Sequence, residues 1–113
     1  RMKAFKIMKV SDQDNSWKTL FHGVDGDRNI QCDRWIGASN DWVRDGSGGT
    51  YYESGWHVLP SYAGAMKYME NFSDPTDKYI VECEVKNYRK KAHARSEVFL
   101  ADTIKLGKEA VPC

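Results

Sequence analysis

The sequence predicts an α+β domain dominated by strands, with two small sheets packed with one main helix. A chain of 113 residues with 41% hydrophobic residues fits one compact core, so residues 1–113 are expected to form a single domain. Short apolar runs alternate with clusters of Gly, Asp, Asn and Pro, which is typical of short strands joined by turns. One segment has apolar residues at helical spacing, which predicts the helix.

The first half of the chain predicts strands. Residues 3–10 have apolar side chains at both odd and even positions, which indicates a strand buried on both faces. The polar residues 11–16 turn the chain, and Trp17 to His22 alternate as the next strand. The pattern then predicts a short strand at Arg34–Ala38, a glycine-rich turn at 45–49 and an aromatic-rich strand at Thr50–Leu59.

The predicted helix begins after Pro60. Ser61 is a suitable N-cap, because its hydroxyl can accept a hydrogen bond from a backbone N–H of the first turn. Apolar residues then recur at helical spacing for about three turns. They are Tyr62, Ala65, Met66, Met69 and Phe72. We expect Tyr62 to pack in the core.

The last third of the chain predicts further strands. Residues 79–85 alternate Val and Cys with Glu, which indicates a half-buried strand, and residues 98–106 form a last strand or strand pair. Between them, residues 86–95 contain five basic and no acidic side chains. We expect this basic segment to be a solvated loop.

Composition limits the classes of function. Seventeen basic and sixteen acidic residues nearly cancel, so no strong overall field favours nucleic acid or an anionic membrane surface. The three cysteines show no CxxC spacing and predict free thiols in a reducing compartment. The three histidines are far apart in sequence, so no metal is expected. The lack of a long apolar run or a leader-like start predicts no membrane contact and a cytoplasmic location.

Three polar residues at predicted strand ends are candidates for one composite site. His22 stands beside Gly23, where an imidazole can donate to a ligand hydroxyl and the glycine leaves room; the alternative is a hydrogen-bonded core or rim histidine. His57 follows Trp56, and since the indole is the natural core residue, we expect His57 to face a cleft or solvent. Glu97 is anchored by the apolar run after it, with a solvated strand-end charge as its alternative.

These motifs together resemble the ADP-ribosyltransferase family, in particular its diphtheria-toxin-like, poly-ADP-ribose-polymerase-like and small rifampin-modifying branches. The matching motifs are Leu20-Phe21-His22-Gly23, then Gly55-Trp56-His57-Val58 with Ala65 and Tyr68 in the following helix, and Glu97 before Val98. The resemblance covers roughly residues 17–106 and implies an ADP-ribosyltransferase-like fold. His57 stands where much of the family has a tyrosine, which weakens stacking there.

The resemblance also implies a function: transfer of ADP-ribose from NAD, its substrate, to an acceptor that the sequence does not identify. Glu97 would be the catalytic residue, stabilising the oxocarbenium-like state formed as the N-glycosidic bond breaks. The implied cofactor-binding residues are His22, Gly23, Tyr52, His57 and Tyr68.

A second hypothesis is a small noncatalytic binding or inhibitory protein of a phage type that engages a host protein or a nucleotide. The basic segment 86–95 could bind phosphate or an acidic partner. Tyr88 is its one aromatic residue. Because sequence-tolerant strand binding usually interleaves several stacking rings with the charges, direct binding of DNA or RNA ranks third.

Overall fold

The computed structural model describes residues 1–11, 15–19, 29–38, 42–44, 51–53, 55–70, 72, 76–91 and 97–112. Within these ranges the strands are β1 (Met2–Val10), β2 (Ser16–Lys18), β3 (Asn29–Gln31), β4 (Trp35–Gly37), β5 (Trp42–Arg44), β6 (Tyr51–Glu53), β7 (Trp56–Val58), β8 (Lys78–Lys90) and β9 (Phe99–Pro112). The helix α1 (Tyr62–Met69) lies between β7 and β8 in the chain. The predicted strand-rich fold with one main helix is confirmed for the described residues.

The large sheet is antiparallel and nearly closed. Its seven strands pair in the order β3-β2-β1-β8-β9-β4, and β7 also pairs with β9. β4 and β7 pair with successive segments of β9, at residues 103–105 and 99–101. Beyond β7, Leu59 exchanges two backbone hydrogen bonds with Phe5 of β1, at 2.8 and 2.7 Å. The path from β1 through β8, β9 and β7 therefore returns to β1 as a small barrel.

The two predicted sheets are very unequal, because β5 and β6 form a separate two-stranded sheet and the other strands share the large one. The prediction of one strand over 50–59 is wrong, since β6 and β7 belong to different sheets. Between them, a Cβ on Gly55 would lie 3.0 Å from the carbonyl oxygen of Ala101. A glycine at this position therefore allows the chain to return closely onto β9.

The barrel interior is filled mainly from β1, β7, β8 and β9. Its buried residues are Ala4, Met8, Ile30, Trp56, Val58, Val81, Cys83, Val85, Ala101, Ile104 and Leu106. A second buried cluster lies on the opposite face of β1, under α1. It consists of Ile7, Leu59, Ala65, Met69, Ile80 and Val98. The prediction that β1 is buried on both faces is therefore confirmed.

The alternation of inward-facing and outward-facing side chains along β9 is interrupted between Ala101 and Ile104. Ala101 and Ile104 are three positions apart, and yet both belong to the interior cluster. Between their partners on β8 lies Asn87, whose φ of 52° is in the left-handed region that asparagine tolerates. Because of this interruption, β9 directs apolar side chains inward both where it pairs with β4 and where it pairs with β7.

Helix α1 begins as predicted and ends earlier. The Ser61 Oγ accepts a hydrogen bond from the backbone N–H of Gly64 at 3.0 Å, so Ser61 is the N-cap. The helix has eight residues, shorter than the predicted three turns, and Glu70 is its C-cap. Its first turn has no acidic side chain, so the serine cap is the local stabilising feature at this end.

The prediction that Tyr62 packs in the core is wrong. Tyr62 is 39% exposed and Met66 is 46% exposed, whereas Ala65 and Met69 are buried. The Tyr62 ring meets Phe5 edge-on, with centroids 6.0 Å apart. A short helix lying on the outer face of a curved sheet buries only a narrow stripe, which is why the apolar positions beside that stripe stay exposed.

Two further predictions need correction. The basic segment is not simply a loop, because β8 continues to Lys90 and pairs with β9 along its length; residues 92–96 lie outside the described residues. The sequence pattern also misses β3, in which Ile30 is buried between two exposed polar residues. Of the strand predicted at Trp17 to His22, β2 accounts for the start, and residues 20–28 lie outside the described residues.

Candidate functional site

A tryptophan on the outer face of the large sheet is surrounded by cationic side chains. Trp35 pairs with Lys105 across β4 and β9. The next residue, Ile36, pairs with buried Ile104 and packs against the interior cluster, so alternation puts Trp35 outside. The Lys86 Nζ lies 3.9 Å from the Trp35 ring centroid and the Lys105 Nζ lies 5.5 Å from it. We call Trp35, Arg34, Lys86 and Lys105 the Trp35 surface.

An open groove adjoins the Trp35 surface. It has a volume of about 490 Å³ and is lined by Asn29, Gln31, Arg34, Trp35 and Ile36. The Arg34 guanidinium donates to the Gln31 side-chain oxygen at 3.0 Å, which fixes one wall. An aromatic face beside amide and guanidinium groups offers a ligand both stacking and hydrogen bonds.

The described carboxylates near the Trp35 surface have cationic partners of their own. Glu84 lies opposite Lys105 on β8, and it forms an ion pair with Arg1 at 2.9 Å. Asp33, which precedes Arg34, lies 3.5 Å from the Lys108 ammonium. The three cations of the Trp35 surface are therefore not balanced by a carboxylate each, and the surface favours anions.

His57 and Glu97 lie on neighbouring segments of the sheet. His57 pairs with Leu100, and Glu97 precedes that residue by three positions, two residues before β9 begins. His57 is half-buried on the face opposite buried Trp56 and Val58, as expected, and Glu97 is exposed ahead of buried Val98. The β7–β9 pairing thus places both residues near the end of β7 where the chain enters α1.

The other predicted site residues are placed differently. Tyr68 lies on α1, half-buried, and its ring meets Phe72 edge-on at 5.9 Å. Tyr52 lies on β6 in the two-stranded sheet, opposite Val43, and its side chain is outside what the structure describes. His22 and Gly23 lie outside the described residues. The structure therefore brings His57 and Glu97 to one end of β7. Tyr68 instead packs from α1 against the second buried cluster.

Lys6 is a functional candidate that the sequence patterns do not reveal. It lies on β1 between Ala4 and Met8, whose side chains both point into the barrel, so alternation directs Lys6 inward as well. Its Nζ donates to the His57 carbonyl oxygen at 2.9 Å and lies 5.9 Å from the Trp56 ring centroid. The sequence signal for an interior lysine is that Lys6 interrupts the apolar residues at the even positions of β1.

Burial controls the chemistry of the interior amine and of a nearby thiol. Lys6 keeps some exposed surface, but desolvation of its ammonium end lowers its pKa to about 8, against a smaller opposing effect of Cys83. Burial likewise raises the pKa of Cys83 to about 12. At neutral pH the lysine therefore has a sizeable neutral fraction, and the thiol stays protonated.

The described cysteines are free thiols, as the sequence predicts. Cys32 and Cys83 are free and buried. Burial, and then the charge of Asp33, raise the pKa of the Cys32 thiol. Cys113 lies outside the described residues.

No family model, curated protein or solved structure matches this chain. Within the described ranges, no cluster of three or more His, Cys, Asp or Glu side chains is arranged to hold a metal ion. No helix in the described part of the chain combines the length and apolar character needed to cross a bilayer.

Proposed function

We propose that this protein is a small noncatalytic nucleotide-binding protein and that the nucleotide binds at the Trp35 surface. One observation supports the proposal above others: the Trp35 ring, with Lys86 and Lys105 at 3.9 and 5.5 Å, combines a stacking platform with cations on one sheet face. A nucleobase would stack on the indole while the lysines and Arg34 contact phosphate.

The contact energies favour replacement of the Lys86 ammonium by a nucleobase on the face of the Trp35 ring. An exposed cation–π contact contributes about 0.5–1 kcal/mol, whereas stacking of a base on an aromatic side chain contributes about 1–3 kcal/mol. Displacing Lys86 from the ring therefore costs less than stacking gains. The displaced ammonium is then free to meet phosphate oxygens on the same ligand.

Calorimetric titration with ADP at low salt tests this function. We expect Trp35→Ala to weaken binding at least tenfold and Lys86→Ala several-fold, with a smaller salt dependence. Lys3→Ala is the matched control, because Lys3 is an exposed lysine on the same sheet that pairs with Glu82 at 2.9 Å. It should leave binding unchanged. Wild-type protein that binds neither ADP nor adenosine would exclude a nucleotide and favour the host-protein form of the hypothesis.

ADP-ribosyl transfer is a second candidate, favoured by His57 on β7 and Glu97 just before β9, since the pairing of these strands puts both residues near the start of α1. In that proposal the domain is ADP-ribosyltransferase-like, NAD is the substrate, and His57 packs against nicotinamide. His22, Gly23, Tyr52 and Tyr68 complete the site. Glu97 stabilises the positive charge that develops on the ribose.

Incubation with labelled NAD and candidate acceptors tests this second function. We expect Glu97→Gln to keep NAD affinity within a few fold and to abolish label transfer, because the carboxylate acts on the transition state. Glu109→Gln removes an exposed carboxylate of β9, the strand that follows Glu97, and should not change transfer. If wild-type protein binds NAD without transferring label, the noncatalytic function is favoured. Both candidates are proposed to act in the cytoplasm, where free thiols persist.

A further inference from the structure

The interior amine of Lys6 has a single acceptor in the described part of the chain. An ammonium has three N–H donors, and the described residues supply one oxygen, the His57 carbonyl at 2.9 Å. The other groups that face it are the Trp56 ring, 5.9 Å away on β7, and the Cys83 thiol on β8. None of the ion pairs among the described residues involves Lys6.

This environment favours the neutral form of the amine. A buried ammonium without a counter-charge is costly, and deprotonation removes that cost. The fall of the Lys6 pKa to about 8 agrees with the geometry. At pH 7.5 an amine of this pKa is roughly one quarter neutral, against about 0.1% for an ordinary lysine. Lys6 as a whole residue is only partly buried, so part of it is exposed to solvent.

We propose that Lys6 is a reactive amine that forms imines with small aldehydes at the inner face of the barrel. The Nζ lone pair attacks the carbonyl carbon and forms the C–N bond, while the C=O π electrons move to oxygen. A proton passes from nitrogen to that oxygen, and the carbinolamine loses water. The balance is one amine and one aldehyde to one imine and one water, with no oxidation or reduction.

The surroundings suit this product. A protonated imine keeps one N–H, which can still donate to the His57 carbonyl as the amine does. The nearby Cys83 is a weak competitor, because burial raises its pKa to about 12 and thiolate is the nucleophilic form. The enclosed position between β1 and β7 limits the reagent to a small aldehyde. This inference does not depend on either proposed function.

Reductive trapping tests the proposal on the folded protein. The protein is incubated briefly with acetaldehyde and cyanoborohydride at pH 7, and ethylation of each lysine is measured by peptide mass mapping. Lys3 is the internal control, since it lies on the same strand and is exposed. We expect Lys6 to be ethylated at least about tenfold faster than Lys3, despite its lesser exposure.

A pH series and unfolding separate the proposal from chance accessibility. Ethylation of Lys6 should level off above about pH 8, and its rate should become equal to that of Lys3 in urea. In Lys6→Arg the fast ethylation of the peptide that contains residue 6 should disappear from the peptide map, while ethylation of the N-terminal amine should remain. A native Lys6 rate equal to or below that of Lys3 would overturn the proposal.

Discussion

The large sheet has a lysine beside a tryptophan on each of its two faces. Outside, the Lys86 Nζ lies 3.9 Å from the Trp35 ring centroid, and Lys86 is exposed. Inside, the Lys6 Nζ lies 5.9 Å from the centroid of Trp56, which is buried. The closer contact is thus in water and the more distant one is in the interior.

The difference shows that solvation, more than distance to the ring, decides what each lysine can do. A ring face attracts the cation and opposes loss of its proton, yet the Lys6 pKa falls to about 8 because desolvation is the larger effect. Lys86 is exposed, so a phosphate group can approach it. One residue pair therefore favours an anion-binding surface, and the other favours a nucleophile.

The largest expected difference between the two lysine–tryptophan pairs is in the stability lost when each tryptophan is replaced by alanine. We expect Trp56→Ala to lower the free energy of unfolding by about 3–5 kcal/mol, because it opens a cavity in the barrel. It also removes the indole N–H that donates to the Ile36 carbonyl oxygen at 3.0 Å. Urea denaturation followed by far-ultraviolet circular dichroism measures the effect.

Trp35→Ala is the matched control for that experiment. It removes a surface ring and two cation–π contacts, so a loss of no more than about 1 kcal/mol is expected. Trp56→Phe is a milder variant that keeps a ring and lacks the N–H donor, and it should fall between the two. Equal losses for Trp35→Ala and Trp56→Ala would contradict the inside-outside assignment.

Titration of the interior lysine should make stability depend on pH. The folded pKa of Lys6, about 8, lies below its unfolded value of 10.5, so between these values the unfolded chain binds more protons. Stability therefore rises with pH through this window, by about 1 kcal/mol from pH 8 to 9. Urea denaturation in reductant at each pH measures the rise.

Titration of Cys83 opposes this rise in stability at higher pH. Its folded pKa, about 12, exceeds its ordinary value of 9, so the folded state binds more protons between these values and stability falls as pH rises. The two effects oppose each other above pH 9. Lys6→Met should remove the rise between pH 8 and 9, and Lys86→Met should retain it. Identical profiles for the wild type and Lys6→Met over that interval would show that the lysine is not desolvated.

The sequence predicts those parts of the fold that depend on local pattern. Alternation in residues 79–85 predicts the start of β8, and Ser61 predicts the start of α1, because neighbouring residues decide both features. The break between β6 and β7 could not be predicted, since it depends on how closely Gly55 approaches β9.

The candidate sites depend even more on long-range pairing. Residues 35, 86 and 105 are distant in sequence, and the register of β4, β9 and β8 brings them together. Lys6 is hidden for a different reason: alternation gives two faces for β1, and only the closed sheet decides which face is interior. The pairing of β7 with β9 likewise places His57 near Glu97, which the spacing of 40 residues does not indicate.

The smallest expected effect is the coupling energy between Lys86 and Trp35 on the outer face of the sheet. A double-mutant cycle on Lys86→Met and Trp35→Leu should give a coupling energy of about 0.5–1 kcal/mol at low salt, because Lys86, whose ammonium lies over the Trp35 ring, is exposed. The coupling should shrink at 1 M salt, where the Debye length is about 3 Å. The corresponding cycle on Lys6→Met and Trp56→Leu should be less sensitive to salt, since ions screen an interior pair weakly. If salt weakened both couplings equally, the two lysines would share one environment, and the assignment of Lys6 to the interior would be wrong.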